Sequence, residues 1–160
     1  MSRPTLLFLH VVGAILLFST YITAFTTRAV AEPTRDRAIL AHVYRVMNRL
    51  DLFVTPVASL LLLASGFVLV GRSGIPVLGT RWLVWSLALF GLTGILYVVG
   101  ALPLQRRIEH LLADDGAADG AADERGNDWW DAYDRLSRRW LAVAGTSFGL
   151  TIVVLYLMVH

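Results

Sequence analysis

The sequence predicts an all-α polytopic membrane protein, an antiparallel bundle of four transmembrane helices. Four stretches of at least 20 residues carry no charged side chain, namely 4–27, 52–71, 82–105 and 140–160. At about 1.5 Å of rise per helical residue, about 20 apolar residues cross the hydrocarbon core of a bilayer. Hydrophobic residues make up 56% of the chain, above the roughly 45 to 50% typical of soluble domains.

We expect one domain over residues 1–160, with helices that extend from the bilayer into the cytoplasm. Its predicted parts are spans at 5–27, 52–71, 82–105 and 140–159, amphipathic extensions at 36–51, 106–113 and 127–139, and a flexible linker at 114–126. The first span is too long and too evenly apolar for the core of a cleaved signal peptide, which has about 7 to 15 residues.

Helical periodicity identifies the extensions. Before span two, Ile39, Val43, Val46 and Leu50 recur at the spacing of one helical face. Span three continues past Gln105 as a polar helical end. Before span four, an aromatic stripe of Trp129, Tyr133, Leu136 and Trp140 lies beside arginines, which is typical of an anchor at the membrane interface. The linker is rich in Gly, Ala and acidic residues and has no apolar face, which predicts mobility.

The arginines predict the orientation. All 14 basic residues are arginines; five lie between spans one and two and six between spans three and four, which leaves three for the other side. Both long connections should therefore be cytoplasmic and both termini outside. This distribution explains the basic balance without nucleic-acid binding, for which the chain has no long soluble module. The absence of cysteine excludes disulfides, thiolate metal sites and a cysteine nucleophile.

Among the four histidines, His10 is the candidate functional residue. His42 and His110 fall on predicted solvated extensions, and His160 is the last residue. His10 lies within a span and shares a helical face with Gly13 and Thr20, so it should point toward other helices. An ionisable side chain inside a membrane span indicates function; the alternative is a neutral imidazole that donates one hydrogen bond to a neighbouring hydroxyl or carbonyl.

Small residues within the spans predict close helix packing. These are Gly13 and Ala14 in span one, Gly91 and Gly94 in span three, and Gly145 and Gly149 in span four. The same faces are candidates for association with a second copy or with another membrane protein, as are the cytoplasmic helices. The lipid bilayer is the partner common to every interpretation.

Several segments resemble a bacterial group of predicted integral membrane proteins, domain-of-unknown-function family 2269. The similar segments are LHVVGAILLFSTYITAF, NRLDLFVTP, LPLQRRIEHL and YDRLSRRWLAVAG, and the likeness covers nearly the whole chain. This group is similar to CopD-type copper-resistance proteins and HemJ-type protoporphyrinogen oxidases, which implies a bacterial inner-membrane location. In the HemJ type the histidine that matches His10 binds haem b. Those oxidases also carry a lysine early in span three, where this chain has Trp82, Trp85 and Ser86.

Three functional classes follow. The first is a haem b or metal (copper) redox protein in which His10 is the ligand and Arg81 and Trp82, which begin span three at similar depth, contact a propionate or the porphyrin edge. It needs a second axial donor or an open site. The second is a non-enzymatic membrane scaffold or partner-binding module. The third is a transporter, which the lack of Asp or Glu within the spans disfavours.

Overall fold

The computed structural model describes residues 1–113 and 128–159, and every regular element within them is helical. The predicted linker, 114–126, lies outside this part of the chain. The elements are α1 (Arg3–Ala31), a 3-10 turn (Glu32–Thr34), α2 (Arg37–Ser73), α3 (Arg81–Ile95), a π-helical segment (Leu96–Ala101), α4 (Leu102–Ala113) and α5 (Asp128–Val159). The predicted all-α class is confirmed.

Local sequence sets several of the helix ends. Ser2 caps α1 by accepting a hydrogen bond from the Thr5 amide at 3.4 Å. Asp36 caps α2 through Oδ1, which accepts from the Ala38 amide at 2.8 Å and the Ile39 amide at 3.2 Å. Gly74 ends α2 in the left-handed conformation with φ of 64°, which glycine adopts without steric cost.

Four helical stretches within the described residues are long and apolar enough to cross a membrane, and at most 22% of any of their most apolar windows is buried inside the molecule. Large apolar side chains therefore cover the outside: Phe53 is 67% exposed, Leu60 69% and Val99 72%. Apolar surface this extensive requires a hydrocarbon environment. The chain is a polytopic membrane protein.

The bundle consists of two antiparallel helical hairpins, α1 with α2 and α3 with α5. We call the end of the bundle that holds both chain termini the terminal end, and the end that holds α4 and the start of α5 the linker end. At the linker end α4 contacts both α2 and α5. Aromatic side chains join α1 to α5: Phe148 lies 5.8 Å from Phe18 and 5.7 Å from Phe25 between ring centroids, and Phe25 lies 5.8 Å from Trp140.

The main core lies at the linker end, where the buried face of α2 differs from the apolar stripe identified in the sequence. The helix forms as expected, but Leu40, Tyr44 and Met47 are the buried stripe, whereas Ile39 is 44% and Val46 39% exposed. The stripe is displaced by one residue because Tyr44 packs against the rings of Tyr133 and Trp140, with centroids 6.2 and 6.4 Å away.

The aromatic stripe on α5, predicted as an interfacial anchor, packs into this core. Tyr133 and Trp140 are fully or almost fully buried in the core. Two arginines from the start of the α2 segment stack on tryptophans at the start of α5: the Arg35 guanidinium lies 5.2 Å from the Trp130 centroid, and that of Arg37 lies 5.9 Å from the Trp129 centroid. Arg37 also donates to the Leu111 and Leu112 carbonyls at 2.7 and 3.1 Å. Arg37 thus satisfies carbonyls at the end of α4.

Gly13 fulfils the predicted packing role, because a Cβ at this position would lie 3.0 Å from the Leu62 amide nitrogen and 3.2 Å from the Ala58 carbonyl oxygen. The helices α1 and α2 therefore meet backbone to backbone. The other small-residue positions differ. A Cβ at Gly91, Gly94, Gly145 or Gly149 would meet no atom of the described chain within 4 Å, so these glycines do not bring helices together within it.

Candidate functional site

The two hairpins separate toward the terminal end and leave a cleft of about 710 Å³ between α1, α2, α3 and α5, which we call the terminal cleft. This volume lies within the roughly 300 to 1,000 Å³ of typical small-molecule sites. Its lining is predominantly apolar, and the polar lining residues are Arg3, His10, Ser73, Trp82, Ser86 and Thr151. His10 and Trp82, two of the three predicted site residues, therefore line one space.

The His10 imidazole is held against α2. Its Nδ1 lies 3.0 Å from the Leu62 carbonyl oxygen and 3.2 Å from Ser65 Oγ. Because a carbonyl only accepts, Nδ1 carries the proton and donates it. In the neutral ring Nε2 then has a free lone pair, and no described residue hydrogen-bonds to it. Metal-binding histidines are commonly oriented in this way, through a hydrogen bond from the other ring nitrogen.

Gly66 makes room for the imidazole. A Cβ on residue 66 would lie 3.1 Å from His10 Cε1 and 3.4 Å from Nδ1, so a larger residue would force the ring from its place. Leu62, Ser65 and Gly66 form one face of α2, and together they fix both the position and the tautomer of His10.

The remaining polar groups of the terminal cleft lie on four helices, α1, α2, α3 and α5. Ser86 is 1% exposed, and its hydroxyl has no hydrogen-bond partner in the described chain. Arg3 lies at the start of α1, and Met158 brings a thioether from α5. Arg81, the third predicted site residue, precedes Trp82 at the start of α3 but does not line the terminal cleft. The arginine that lines the terminal cleft is Arg3. His160 lies outside the described residues.

The terminal cleft opens sideways. Several of its lining residues also expose large parts of their apolar side chains: Leu7 is 55%, Ile15 59% and Phe67 53% exposed. In a bilayer these side chains face lipid. A ligand can therefore enter from the hydrocarbon phase as well as from the terminal end.

A second polar site lies at the linker end. Gln105 is 1% exposed, and its amide nitrogen donates to Asn48 Oδ1 at 2.9 Å and to Asp51 Oδ2 at 2.7 Å, while its carbonyl oxygen accepts from Trp140 Nε1 at 3.0 Å. Asn48 also hydrogen-bonds to Glu109. We call these five residues the linker-end polar centre. It joins α2, α4 and α5.

A small cavity of about 30 Å³ adjoins this centre, with walls from α1, α2, the π-helical segment, α4 and α5. Asp51 and Thr55 line it from α2, and Tyr97 from the π-helical segment. The Tyr97 hydroxyl is buried and makes no hydrogen bond within the described residues. Short π-helical segments within α-helices frequently occur at functional sites.

Sequence reasoning missed the linker-end polar centre. Asp51 directly precedes the charge-free stretch at 52–71. Because of that position, it is included in the predicted amphipathic extension at 36–51. A signal was nevertheless present: Leu40, Tyr44, Met47 and Asp51 recur at the spacing of one helical face. The true buried stripe of α2 therefore leads directly to Asp51.

A separate buried ion pair closes the linker end. Arg28 is 8% exposed; its Nη2 lies 2.8 Å from Glu32 Oε1, and its Nε donates to Ser137 Oγ at 2.9 Å. These contacts fasten the end of α1 to α5. Arg28 therefore stabilises the packing of α1 against α5, in addition to adding a positive charge to the linker end.

No group of three or more His, Cys, Asp or Glu side chains suited to a metal ion occurs in the described part of the chain. Neither a curated protein nor a solved structure matches the chain. A family model described as "Predicted integral membrane protein (DUF2269)" matches residues 4–160, which is nearly the full length. The chain therefore belongs to the DUF2269 family of predicted integral membrane proteins.

Proposed function

We propose that this membrane protein binds haem b in the terminal cleft, with His10 Nε2 as the axial ligand. The orientation of His10 carries the proposal. The Nδ1 hydrogen bond to the Leu62 carbonyl leaves the Nε2 lone pair available, at the wall of a cleft of about 710 Å³. One neutral imidazole beside a large apolar space is the minimum that haem ligation requires.

The donor set favours haem over a bare metal ion. A protein site for a bare ion commonly uses three or four side-chain ligands, and the described residues contain no such group of His, Cys, Asp or Glu. A haem supplies four of the iron ligands itself and needs only one or two from the protein. Met158 also lines the terminal cleft, and its thioether is an acceptable second axial donor.

The other lining residues suit the periphery of a haem. Arg3 provides a guanidinium for a propionate, and Trp82 provides an indole for the edge of the macrocycle. The unpartnered Ser86 hydroxyl offers a further hydrogen bond. When bound, haem b supplies one-electron redox chemistry. The protein would anchor the group through His10 and exclude water from it with the apolar walls.

Copper is the second candidate, supported by His10 and Met158 in one cleft. Thioether ligands favour Cu(I), and imidazole also binds copper. A colourless, metal-free protein would instead favour the scaffold interpretation, in which the Nδ1 hydrogen bond is a packing feature.

The test is an absorbance spectrum of the protein purified from cells supplied with haem and copper, recorded oxidised and reduced, together with metal analysis. We expect a haem band that His10→Ala abolishes while the circular dichroism spectrum stays helical. His42→Ala is the matched control, because His42 is exposed at the linker end, and it should retain the band. A wild-type protein without haem would refute the haem proposal, and one without copper as well would refute the second candidate and favour the scaffold interpretation.

We also propose the bacterial inner membrane as the location, with the linker end in the cytoplasm and both termini outside. The arginine distribution supports this orientation, because eleven of the 14 arginines lie in the two connections at the linker end and three lie at the other end.

A further inference from the structure

We propose that the linker-end polar centre is a proton-binding site, in which Asp51 and water in the adjoining cavity hold a proton inside the bundle. The proposal is independent of haem binding, because the terminal cleft and this cavity share no lining residue.

The Asp51 carboxylate has hydrogen bonds but no cationic partner. Gln105 Nε2 donates to Oδ2 at 2.7 Å, and the Thr55 hydroxyl donates to Oδ1 at 3.3 Å. The ion pairs of the described residues involve Glu32 and Asp134 and leave Asp51 without one. Asp51 is half-buried, and even the partial removal of an ionised carboxylate from water is costly without a compensating charge. A proton from solvent would remove that charge.

The residues around Asp51 also provide no positive charge to balance its carboxylate. The groups that face it are neutral or acidic: Tyr21 from α1, Tyr97 from the π-helical segment and the Trp140 indole from α5. From α4, Glu109 adds a second carboxyl group, linked through Asn48. No arginine or histidine lines the cavity. The next residues along α2 are lipid-facing, with Leu52 61% and Phe53 67% exposed.

The cavity has room for water. Its volume of about 30 Å³ exceeds the roughly 10 to 15 Å³ that one water molecule needs in the same measure. The buried Tyr97 hydroxyl without a partner is the group that such a water would satisfy. Asp51 and Thr55 line the same space and provide the further partners that an internal water requires.

A proton fits this site better than a metal cation. Hard cations such as Ca²⁺ and Mg²⁺ need at least six oxygen ligands, and most of the cavity wall is apolar: Ala24, Phe25, Ala101 and Ala144 contribute to it. A single carboxyl group with one or two waters is sufficient for a proton. Acidic side chains inside membrane bundles commonly mark proton pathways.

Infrared titration of the protein in lipid nanodiscs tests the proposal. We expect a protonated carboxylic-acid C=O band that shifts in D₂O and disappears in Asp51→Asn. The control variant Asp131→Asn, which changes a carboxylate on the exposed surface, should retain it. The absence of any Asp51-dependent band at every pH at which the protein remains helical would overturn the proposal.

Two further measurements distinguish the details. Tyr97→Phe should shift the frequency of the Asp51 band, because it removes a hydroxyl that lines the same cavity as the carboxyl group; an unchanged frequency would overturn the participation of Tyr97 in the site. Replacement of choline chloride by sodium chloride at constant pH should leave the band unchanged. Its loss in sodium would identify Na⁺ as the occupant and overturn the assignment of a proton.

Discussion

At the scale of single residues, Gln105 shows how the bundle satisfies polar groups away from water. Its side-chain amide has two donor hydrogens and one carbonyl oxygen, and all three functions are used, toward Asn48, Asp51 and Trp140. Each partner lies on a helix other than α4. One buried side chain therefore fixes how α2, α4 and α5 fit together at the linker end.

We expect Gln105→Leu to lower the free energy of unfolding by about 1 to 3 kcal/mol, because it leaves buried partners without a hydrogen bond. The measurement is reversible unfolding in detergent micelles, followed by circular dichroism. Thr146→Val is the matched control: Thr146 is exposed, and its hydroxyl bonds only to the Ala142 carbonyl of its own helix at 2.8 Å. Equal stability of the two variants would show that the Gln105 bonds contribute nothing net.

At the scale of helical elements, the contact between α1 and α2 depends on Gly13. A Cβ there would lie 3.0 to 3.2 Å from backbone atoms of Leu62 and Ala58. Backbone cannot rotate aside as a flexible side chain can, so the two helices would have to separate. Leu62 is also the residue whose carbonyl accepts the His10 hydrogen bond. Helix separation would therefore disturb His10 as well.

We expect Gly13→Ala to destabilise the protein by about 1 to 3 kcal/mol through overpacking, and to weaken any ligand that His10 holds. Gly91→Ala is the control, because a Cβ at Gly91 meets nothing within 4 Å and alanine favours the helix. Thermal unfolding of both variants in detergent provides the comparison. A Gly13→Ala protein as stable as Gly91→Ala would contradict the close helix contact.

The positions of the helices could be predicted from the sequence, but the faces through which they pack against each other could not. Charge-free stretches and caps such as Asp36 indicate where helices lie. The apolar set Ile39, Val43, Val46 and Leu50 has the same period as the buried stripe, and hydrophobicity alone cannot choose between them when lipid also accepts apolar side chains. Tyr44 decides the face through its contacts with Tyr133 and Trp140.

The candidate sites could likewise be predicted from the sequence only in part. His10 was predictable because a lone ionisable residue within an apolar span stands out. Its hydrogen bond to Leu62 and its fit against Gly66 were not, because both partners are more than 50 positions away along the chain. Asp51 and Gln105 belong to different predicted segments, and only the packing of α2 against α4 brings them together.

At the scale of the whole molecule, the hairpins are joined at one end and separated at the other. The Phe25–Trp140 contact, the linker-end polar centre and the Arg28–Glu32 ion pair all lie at the linker end. The terminal cleft lies at the opposite end. This arrangement leaves the cleft free to accept a ligand between the hairpins without loss of the contacts that hold them together.

The proposed orientation puts these two ends on opposite sides of the membrane. Positively charged residues next to apolar spans are retained on the cytoplasmic side during insertion, and eleven of the 14 arginines lie in the two long connections between spans one and two and between spans three and four. On that orientation the proposed proton site is near the cytoplasmic surface, and the terminal cleft opens toward the outer surface.

Reporter fusions test the orientation. We expect alkaline phosphatase fused at the C-terminus to be active, since that enzyme folds only outside the cytoplasm, and green fluorescent protein fused there to be dark. The same reporters inserted between residues 114 and 126 should give the opposite pair of results, which controls for expression. Fluorescence without phosphatase activity at the C-terminus would reverse the topology. It would place the terminal cleft at the cytoplasmic surface, where a ligand would have to come from the cytoplasmic pool or from the inner leaflet.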